Sequence, residues 1–196
     1  MARLGEIMDL AVFLDRDGTI NEEMGYINHI DRFVLLPGAA AAIRRINQSG
    51  LKAVVVTNQS GVARGYFPAE LIDLVHRKMR GLLKEEGAFL DGIYTCTHGP
   101  KKRGTSGSCD CRKPRISLME QAAAELKLDL RRSYVVGDRF KDIEMARNAE
   151  AKAILVLTGY GKGEFEFLGP RSKVQPDYVA NQLADAVEWI LADAKA

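Results

Sequence analysis

The chain has 196 residues, 46% of them hydrophobic and 28% charged, with 28 Lys plus Arg set against 26 Asp plus Glu. This composition excludes a mainly disordered chain, and a formal net charge of +2 excludes the global basic field of a nucleic-acid binder. The length predicts one domain over residues 1–196 with a substantial core; no apolar run approaches the roughly 20 residues of a membrane helix.

In chain order, the first element is a buried strand at 10–14 (LAVFL), reached from an N-terminus without the layout of a signal peptide, which predicts a cytoplasmic protein. Residues 37–49 follow as a helix with Ala and Ile on one face, stopped by Gly50. The β-branched run 51–56 (LKAVVV) predicts a second buried strand. Residues 68–86 carry Leu71, Leu74, Val75, Met79, Leu82 and Leu83 near helical spacing, and Gly87 ends that helix. A short strand is predicted at 90–94. Residues 96–115 lack any apolar period and read as a loop, with a local basic cluster at 101–115 whose Lys101, Lys102 and Arg103 read as a solvated face. A helix at 116–126, a strand at 133–136, a helix at 142–149 and a strand at 153–157 follow. Residues 159–177, rich in Gly and Pro, read as a surface loop, and 183–194 as a closing helix. Buried strands alternating with helices predict an α/β fold with a mainly parallel sheet, which binds its ligand at the carboxyl ends of the strands.

Chemistry concentrates at those ends. Phe13-Leu14 runs into Asp15-Arg16-Asp17-Gly18-Thr19. Two carboxylates after a buried strand need a cation or hydrogen bonds, and capping alone does not require two acids there. Val135-Val136-Gly137-Asp138 repeats the pattern, with Asp142 one turn further on. If both strands are adjacent, Asp15, Asp17 and Asp138 converge as an oxygen-rich site suited to magnesium; Asp138 taken alone reads equally as a helix N-cap. Thr57-Asn58-Gln59-Ser60-Gly61 follows a third strand and offers donors to an anion. Arg112-Lys113-Pro114 adds an ammonium and a guanidinium able to hold a phosphate.

These strings, in this order, resemble the four motifs of the haloacid dehalogenase (HAD) phosphohydrolase superfamily over residues 11 to about 157. The finer resemblance is to the subfamily of heptose-bisphosphate 7-phosphatases and histidinol-phosphatases. It rests on DRDGTIN at 15–21, Gly25-Tyr26, TNQSGVARG at 57–65, DGIY at 91–94 and Cys96 with CDCRKP at 109–114. It implies a Rossmann-like fold with a parallel central sheet flanked by helices, no large cap, and a zinc-binding loop at about 96–111. It further implies Asp15 as nucleophile and Asp17 as general acid and then base. Thr57 and Lys113 would hold the transferring oxygens. Magnesium would sit on Asp15, the Asp17 carbonyl and Asp138. Arg112, Arg139, the stretch Glu23, Met24, Gly25 and Tyr26, and Thr57, Asn58, Gln59 and Ser60 would meet substrate. Met24 stands where the heptose enzymes often carry His.

The cysteine loop has two readings. Cys96-x-His98 and Cys109-x-Cys111 supply three thiolates and one imidazole, the donor set of a closed structural zinc site, although free cysteines are often simply buried. The subfamily matches it ligand for ligand, so a structural Zn2+ is implied, even though its usual Cys-Pro-His-His-Pro reads Cys96-Thr97-His98-Gly99-Pro100 here.

The resemblance points to magnesium-dependent removal of the 7-phosphate of D-glycero-D-manno-heptose 1,7-bisphosphate, on the way to nucleotide-activated heptose for lipopolysaccharide or other surface glycans. The alternatives are histidinol-phosphatase, a phosphatase of nucleic-acid ends, and a non-enzymatic zinc-loop module. Arg64, Arg112 and Arg139 favour a second anion over the ammonium of histidinol phosphate. A small phosphorylated sugar, no nucleic acid, no membrane and a monomer are the partner expectations. His76, His29 and Trp189 read as surface, loop and core residues.

Overall fold

The computed structural model describes residues 8–100 and 109–195. Lys101, Lys102 and Arg103 lie outside the described residues. The elements are β1 (Ala11–Leu14), α1 (Ala39–Gln48), β2 (Lys52–Asn58), α2 (Glu70–Glu85), β3 (Gly92–Cys96), α3 (Ser117–Leu126), β4 (Tyr134–Gly137), α4 (Phe140–Asn148), β5 (Lys152–Val156), the single turn α5 (Gly161–Gly163), β6 (Tyr178–Ala180) and α6 (Leu183–Asp193).

The strands form one sheet in the order β3-β2-β1-β4-β5-β6, every pair parallel. Successive side chains of a strand face opposite ways, so a sheet covered on both faces needs apolar residues at every position. Val12 and Leu14 of β1, with Val55, Val136, Ile154 and Val156, pack against Ile43, Ile46, Val75, Met79, Leu83, Val187 and Ile190 of α1, α2 and α6. Ala11 and Phe13, with Val54, Val56, Val135 and Leu155, pack against Leu118, Met119, Ile143 and Ala146 of α3 and α4. The expected parallel α/β sandwich is therefore what forms. No helix among the described residues is long and apolar enough to cross a membrane.

The chain winds from β1 to β2 and β3 on one side, then returns to place β4 on the other side of β1. Strand order therefore reverses between β1 and β4, and a crevice opens beyond their carboxyl ends. Asp15 and Asp138 lie just past those two ends.

Three expectations are corrected. β3 starts two residues later than predicted and ends on Cys96, because its register pairs Val54 with Gly92 and Asn58 with Cys96. α4 starts two residues earlier: Arg139 is its N-cap, and Asp142, the predicted first residue, caps it by accepting from the Arg139 N–H at 3.2 Å. Residues 161–171 are a run of short helical turns rather than an open loop, and an edge strand, Tyr178–Ala180, follows where none was predicted.

Candidate active site

The loop after β1 folds tightly on itself: the Arg16 carbonyl accepts from the N–H groups of Ile20 and Asn21 at 2.8 and 3.1 Å. Gly18 takes φ +79, and a Cβ there, as at Gly159, would strike the Asp138 carboxylate. Both glycines are needed for close approach and not only for the turn. The Asp15 N–H donates to the Val136 carbonyl at 2.9 Å, which locks the β1 loop to β4.

Lys113 reaches the floor of the crevice from the segment before α3. Its N–H donates to Asn58 Oδ1 at 3.1 Å, and its Nζ lies 2.8 Å from Asp15, 2.7 Å from Asp142 and 3.0 Å from the Val56 carbonyl. Three carboxylates, Asp15, Asp138 and Asp142, thus share one ammonium, and an oxygen of each lies within 4.8 Å of the others. Burial, followed by Asp142 acting against the pull of Lys113, raises Asp15 to about 7. Burial, then Asp15 and Asp142, raises Asp138 to about 8. Lys113 is held above the ordinary lysine range, because Asp142 and Asp15 outweigh its burial.

The donor set fits magnesium. Asp138 Oδ2 accepts from the Tyr160 N–H at 2.8 Å, while its Oδ1 is buried without a hydrogen-bond partner. An orphaned carboxylate oxygen beside further carboxylates is a poor arrangement for a bare protein and a suitable one for a hard cation.

Asp17 differs from Asp15. Its carboxylate accepts from Arg16 Nη2 at 3.0 and 2.9 Å, from Asn21 Nδ2 at 2.9 Å and from Gln59 Nε2 at 2.7 Å. Burial pushes its pKa up, but Arg16 and the two amides outweigh that, and the net shift is downward. Arg16 itself is buried and contacts His76 at 3.3 Å. His76 therefore has an inward role that its helical position did not suggest. Burial, then Arg16, lowers it to about 4, so it is neutral at pH 7.

Above the floor lies a cleft of about 330 Å³. Asp15, Asp17, Glu23, Gly25, Tyr26, Thr57, Asn58, Gln59, Ser60, Arg112, Lys113, Asp138 and Arg139 line it, all expected from sequence. Met24 does not; it packs against the core. Arg64, Lys141, Asp142 and Tyr160 complete the lining. The signal for Asp142 was its position one turn after Asp138; Tyr160 had none, since it lies in a stretch read as loop. His29 is exposed at the start of a single turn and stays outside the cleft, and Trp189 stacks on Tyr178 at 5.2 Å.

The cysteine cluster stands at the end of β3. Cys96 Sγ lies 3.0 Å from Cys111 Sγ, 3.7 Å from Cys109 Sγ and 3.7 Å from His98 Nδ1, which is 3.2 Å from Cys111. A tetrahedral ion with Zn–S bonds of about 2.3 Å sets its ligands roughly 3.5–3.8 Å apart, so the group fits zinc. Burial raises the Cys96 and Cys111 thiols, while hydrogen bonds from Cys111 and Cys96 outweigh burial at Cys109 and lower it. Arg112, next to Cys111, donates to the His98 carbonyl at 3.1 Å, so the cluster anchors a cleft residue.

Comparison with known proteins fits this geometry. A HAD-hydrolase-like family model matches residues 110–186. D-glycero-D-manno-heptose-1,7-bisphosphate 7-phosphatase of Thermosynechococcus vestitus is 42% identical over 92% of this chain and 94% of its own length. D-glycero-beta-D-manno-heptose-1,7-bisphosphate 7-phosphatase of Escherichia coli K12 is 38% identical over 94% and 95%. The crystal structure of D,D-heptose 1,7-bisphosphate phosphatase from B. bronchiseptica, complexed with magnesium and phosphate, superposes with a TM-score of 0.83 at 33% identity, covering 95% of this chain and 99% of that one. The carboxylate floor, its single lysine and these relationships along nearly the whole length have one reading: the chain is a phosphatase and belongs to the D-glycero-D-manno-heptose-1,7-bisphosphate 7-phosphatase family of HAD-like hydrolases.

Proposed function

We propose that this protein hydrolyses the 7-phosphate of D-glycero-D-manno-heptose 1,7-bisphosphate through an aspartyl-phosphate on Asp15. The observation that carries this reading is the polarity of the cleft: a nucleophilic carboxylate with its lysine on the floor, and Arg64, Arg112, Arg139 and Lys141 in the wall. A substrate with a phosphate at each end matches it.

In the first step an Asp15 carboxylate oxygen forms a bond to phosphorus while the bond from phosphorus to the C7 oxygen breaks. The leaving oxygen takes its proton from Asp17. A protonated carboxyl has one acceptor site fewer, so Asp17 must release one of its present donors to serve as acid. Gln59, which also donates to Thr57 Oγ1 at 2.9 Å, has an alternative partner ready. In the second step water attacks phosphorus, Asp17 takes the proton, and the bond to Asp15 breaks. The ionised, hydrogen-bonded Asp17 seen here is the base of that step. Lys113 and the Thr57 hydroxyl hold the transferring oxygens, and Asn58 fixes Lys113 through its main chain.

Asp15, Asp138 and the Asp17 carbonyl are the residues that would hold magnesium, which when bound offsets the repulsion between the nucleophile and a phosphate dianion. Cys96, His98, Cys109 and Cys111 are the ligands of a structural zinc, whose place in this reading is to fix Arg112 and Lys113. We read the chain as one monomeric cytoplasmic unit that supplies precursors of surface glycans and does not act on nucleic acid.

Phosphate release with magnesium, comparing both heptose 1,7-bisphosphate anomers with histidinol phosphate, tests the proposal. A preference of about 100-fold in kcat/KM, equal to about 2.7 kcal/mol of transition-state binding, is expected for a heptose anomer. A preference for histidinol phosphate overturns it, since four cationic side chains oppose a substrate carrying an ammonium.

A further inference from the structure

The segment that leaves β5 touches the cleft at every second or third residue. The Thr158 hydroxyl donates to the Gly18 carbonyl at 2.6 Å. The Tyr160 N–H donates to Asp138. The Tyr160 ring lies against the Arg139 guanidinium, 4.5 Å from its centroid. Glu164 accepts from Arg139 Nε at 2.9 Å with one oxygen and from the Phe140 N–H with the other.

Arg139 is thereby held from two directions. Glu164 takes the Nε edge, and the ring of Tyr160 fixes the plane. Both terminal nitrogens are left without a protein partner among the described residues, on a side chain that is 41% exposed. Those two N–H groups are the fork with which an arginine grips an oxyanion. Glu164 is itself 11% exposed, so its carboxylate is a fixed point rather than a surface charge. Arg112 and Lys141 share the same wall of the cleft. Lys141 is lowered by burial, then by Arg112 and by Arg139, as expected for cations that face one another across an anion site.

We propose that Glu164 and Tyr160 are positioning residues that set the Arg139 guanidinium as a bidentate anchor for the non-reacting phosphate of a bisphosphate substrate. The inference rests on the proposed bisphosphatase reading and adds the device that recognises the second anion. An arginine ordered in advance loses less rotamer freedom on binding, and this gain lies in KM rather than in the chemical step.

The field of Glu164 alone argues the opposite. Removing an acid near an anion site strengthens anion binding if charge is the only role of that acid. Positioning and bare electrostatics therefore predict opposite signs for Glu164→Gln, which keeps an amide oxygen for the Phe140 N–H.

The experiment compares wild type and Glu164→Gln, both loaded with magnesium, on heptose 1,7-bisphosphate and on p-nitrophenyl phosphate, which has no second anion. The expected result is a fall of about tenfold in the ratio of the two kcat/KM values, entering through a higher KM for the bisphosphate while its kcat is retained. Unchanged or tighter use of the bisphosphate overturns the inference. An equal loss on both substrates also overturns it, because that marks a role in the fold through Phe140. If Glu164→Gln does not fold, Tyr160→Leu leaves the Glu164–Phe140 bond in place and is expected to show the same split; its absence there is equally fatal. Should wild type itself show no preference for the bisphosphate, the functional reading fails first and takes the inference with it.

Discussion

Asp15→Asn should give a protein that is inactive and, without metal, more stable than the wild type. Asp15 has a pKa of about 7 when folded against an ordinary 3.8. A carboxyl raised on folding makes no contribution well below its unfolded pKa and destabilises the fold increasingly as pH rises, reaching its full effect above the folded value. A shift of roughly three units at 1.36 kcal/mol each sets a ceiling of about 4 kcal/mol at pH 8.5. The ammonium of Lys113 is already counted in that figure, since it pulls the pKa down while burial and Asp142 push it up. Relaxation around the amide and its poorer bond to Lys113 leave an expected gain of about 1–2 kcal/mol, or roughly 3–6 °C in Tm for a chain of this size. Thermal unfolding in EDTA at pH 8.5 and pH 5 measures it. The variant should melt above wild type at pH 8.5, the gap should narrow at pH 5, and magnesium should raise wild type more than the variant. Phosphate release by the variant should fall below about one thousandth of wild type. If the variant melts below wild type in EDTA at pH 8.5, the bond from Lys113 to Asp15 outweighs the crowding of carboxylates and the electrostatic account is refuted.

Lys113→Met removes the single ammonium among Asp15, Asp138 and Asp142, and an uncompensated buried charge costs about 3–5 kcal/mol; urea unfolding in EDTA should show that loss, with part recovered by magnesium. His98→Ala should reduce zinc content from one per chain to none by elemental analysis, lower Tm, and raise KM more than it lowers kcat, because Arg112 is held by the His98 carbonyl; zinc-free wild type of unchanged Tm would exclude the site. His76, with a pKa of about 4, stays neutral in the fold while the unfolded chain takes up a proton below pH 6.5. Stability should therefore fall with pH from 6.5 to 4, and His76→Gln should be relieved of about 2 kcal/mol of that loss at pH 4.5, read by urea unfolding at pH 7 and 4.5.

The parts of the fold legible in the sequence are those where one interaction dominates. β1, β2 and β5 are covered on both faces, so their sequences are unbroken apolar runs. α1 and α2 end where Gly50 and Gly87 take φ 84 and 73, which marks their stops in the sequence. β6 was invisible because Tyr178-Val179-Ala180 is a short strand at the sheet edge, directly after Pro176-Asp177. The turns at 161–171 were hidden because Gly161 is a glycine for contact, not for a bend: a Cβ there would strike the Val156 carbonyl. In the site, Asp15, Asp17 and Asp138 announced themselves as acids at the ends of apolar strands. Asp142 looked like the first residue of a helix, and its bond to Lys113 joins positions that only the β3-to-β4 crossover brings together. His76 sits at a polar position of an amphipathic helix, and nothing in α2 says that a buried arginine from the β1 loop reaches it.

The near-neutral net charge concealed two opposed fields, and the topology explains how one small sheet keeps them apart. Strands β1 and β4 diverge at the point where strand order reverses, so their loops leave an open floor, and both end in acids. The cations come from elsewhere: Arg64 from the segment after β2, Arg112 from the cysteine segment after β3, and Arg139 and Lys141 from the start of α4. Each is held by its own support, the His98 carbonyl for Arg112 and Glu164 with Tyr160 for Arg139, rather than by the acids of the floor. Had those arginines paired with Asp15 or Asp138, the cleft would have neutralised itself and lost both its nucleophile and its grip on a second anion. The β5 tail and the cysteine cluster thus perform the same task on opposite sides of the site: each spends protein contacts on an arginine so that its terminal donors face the cleft.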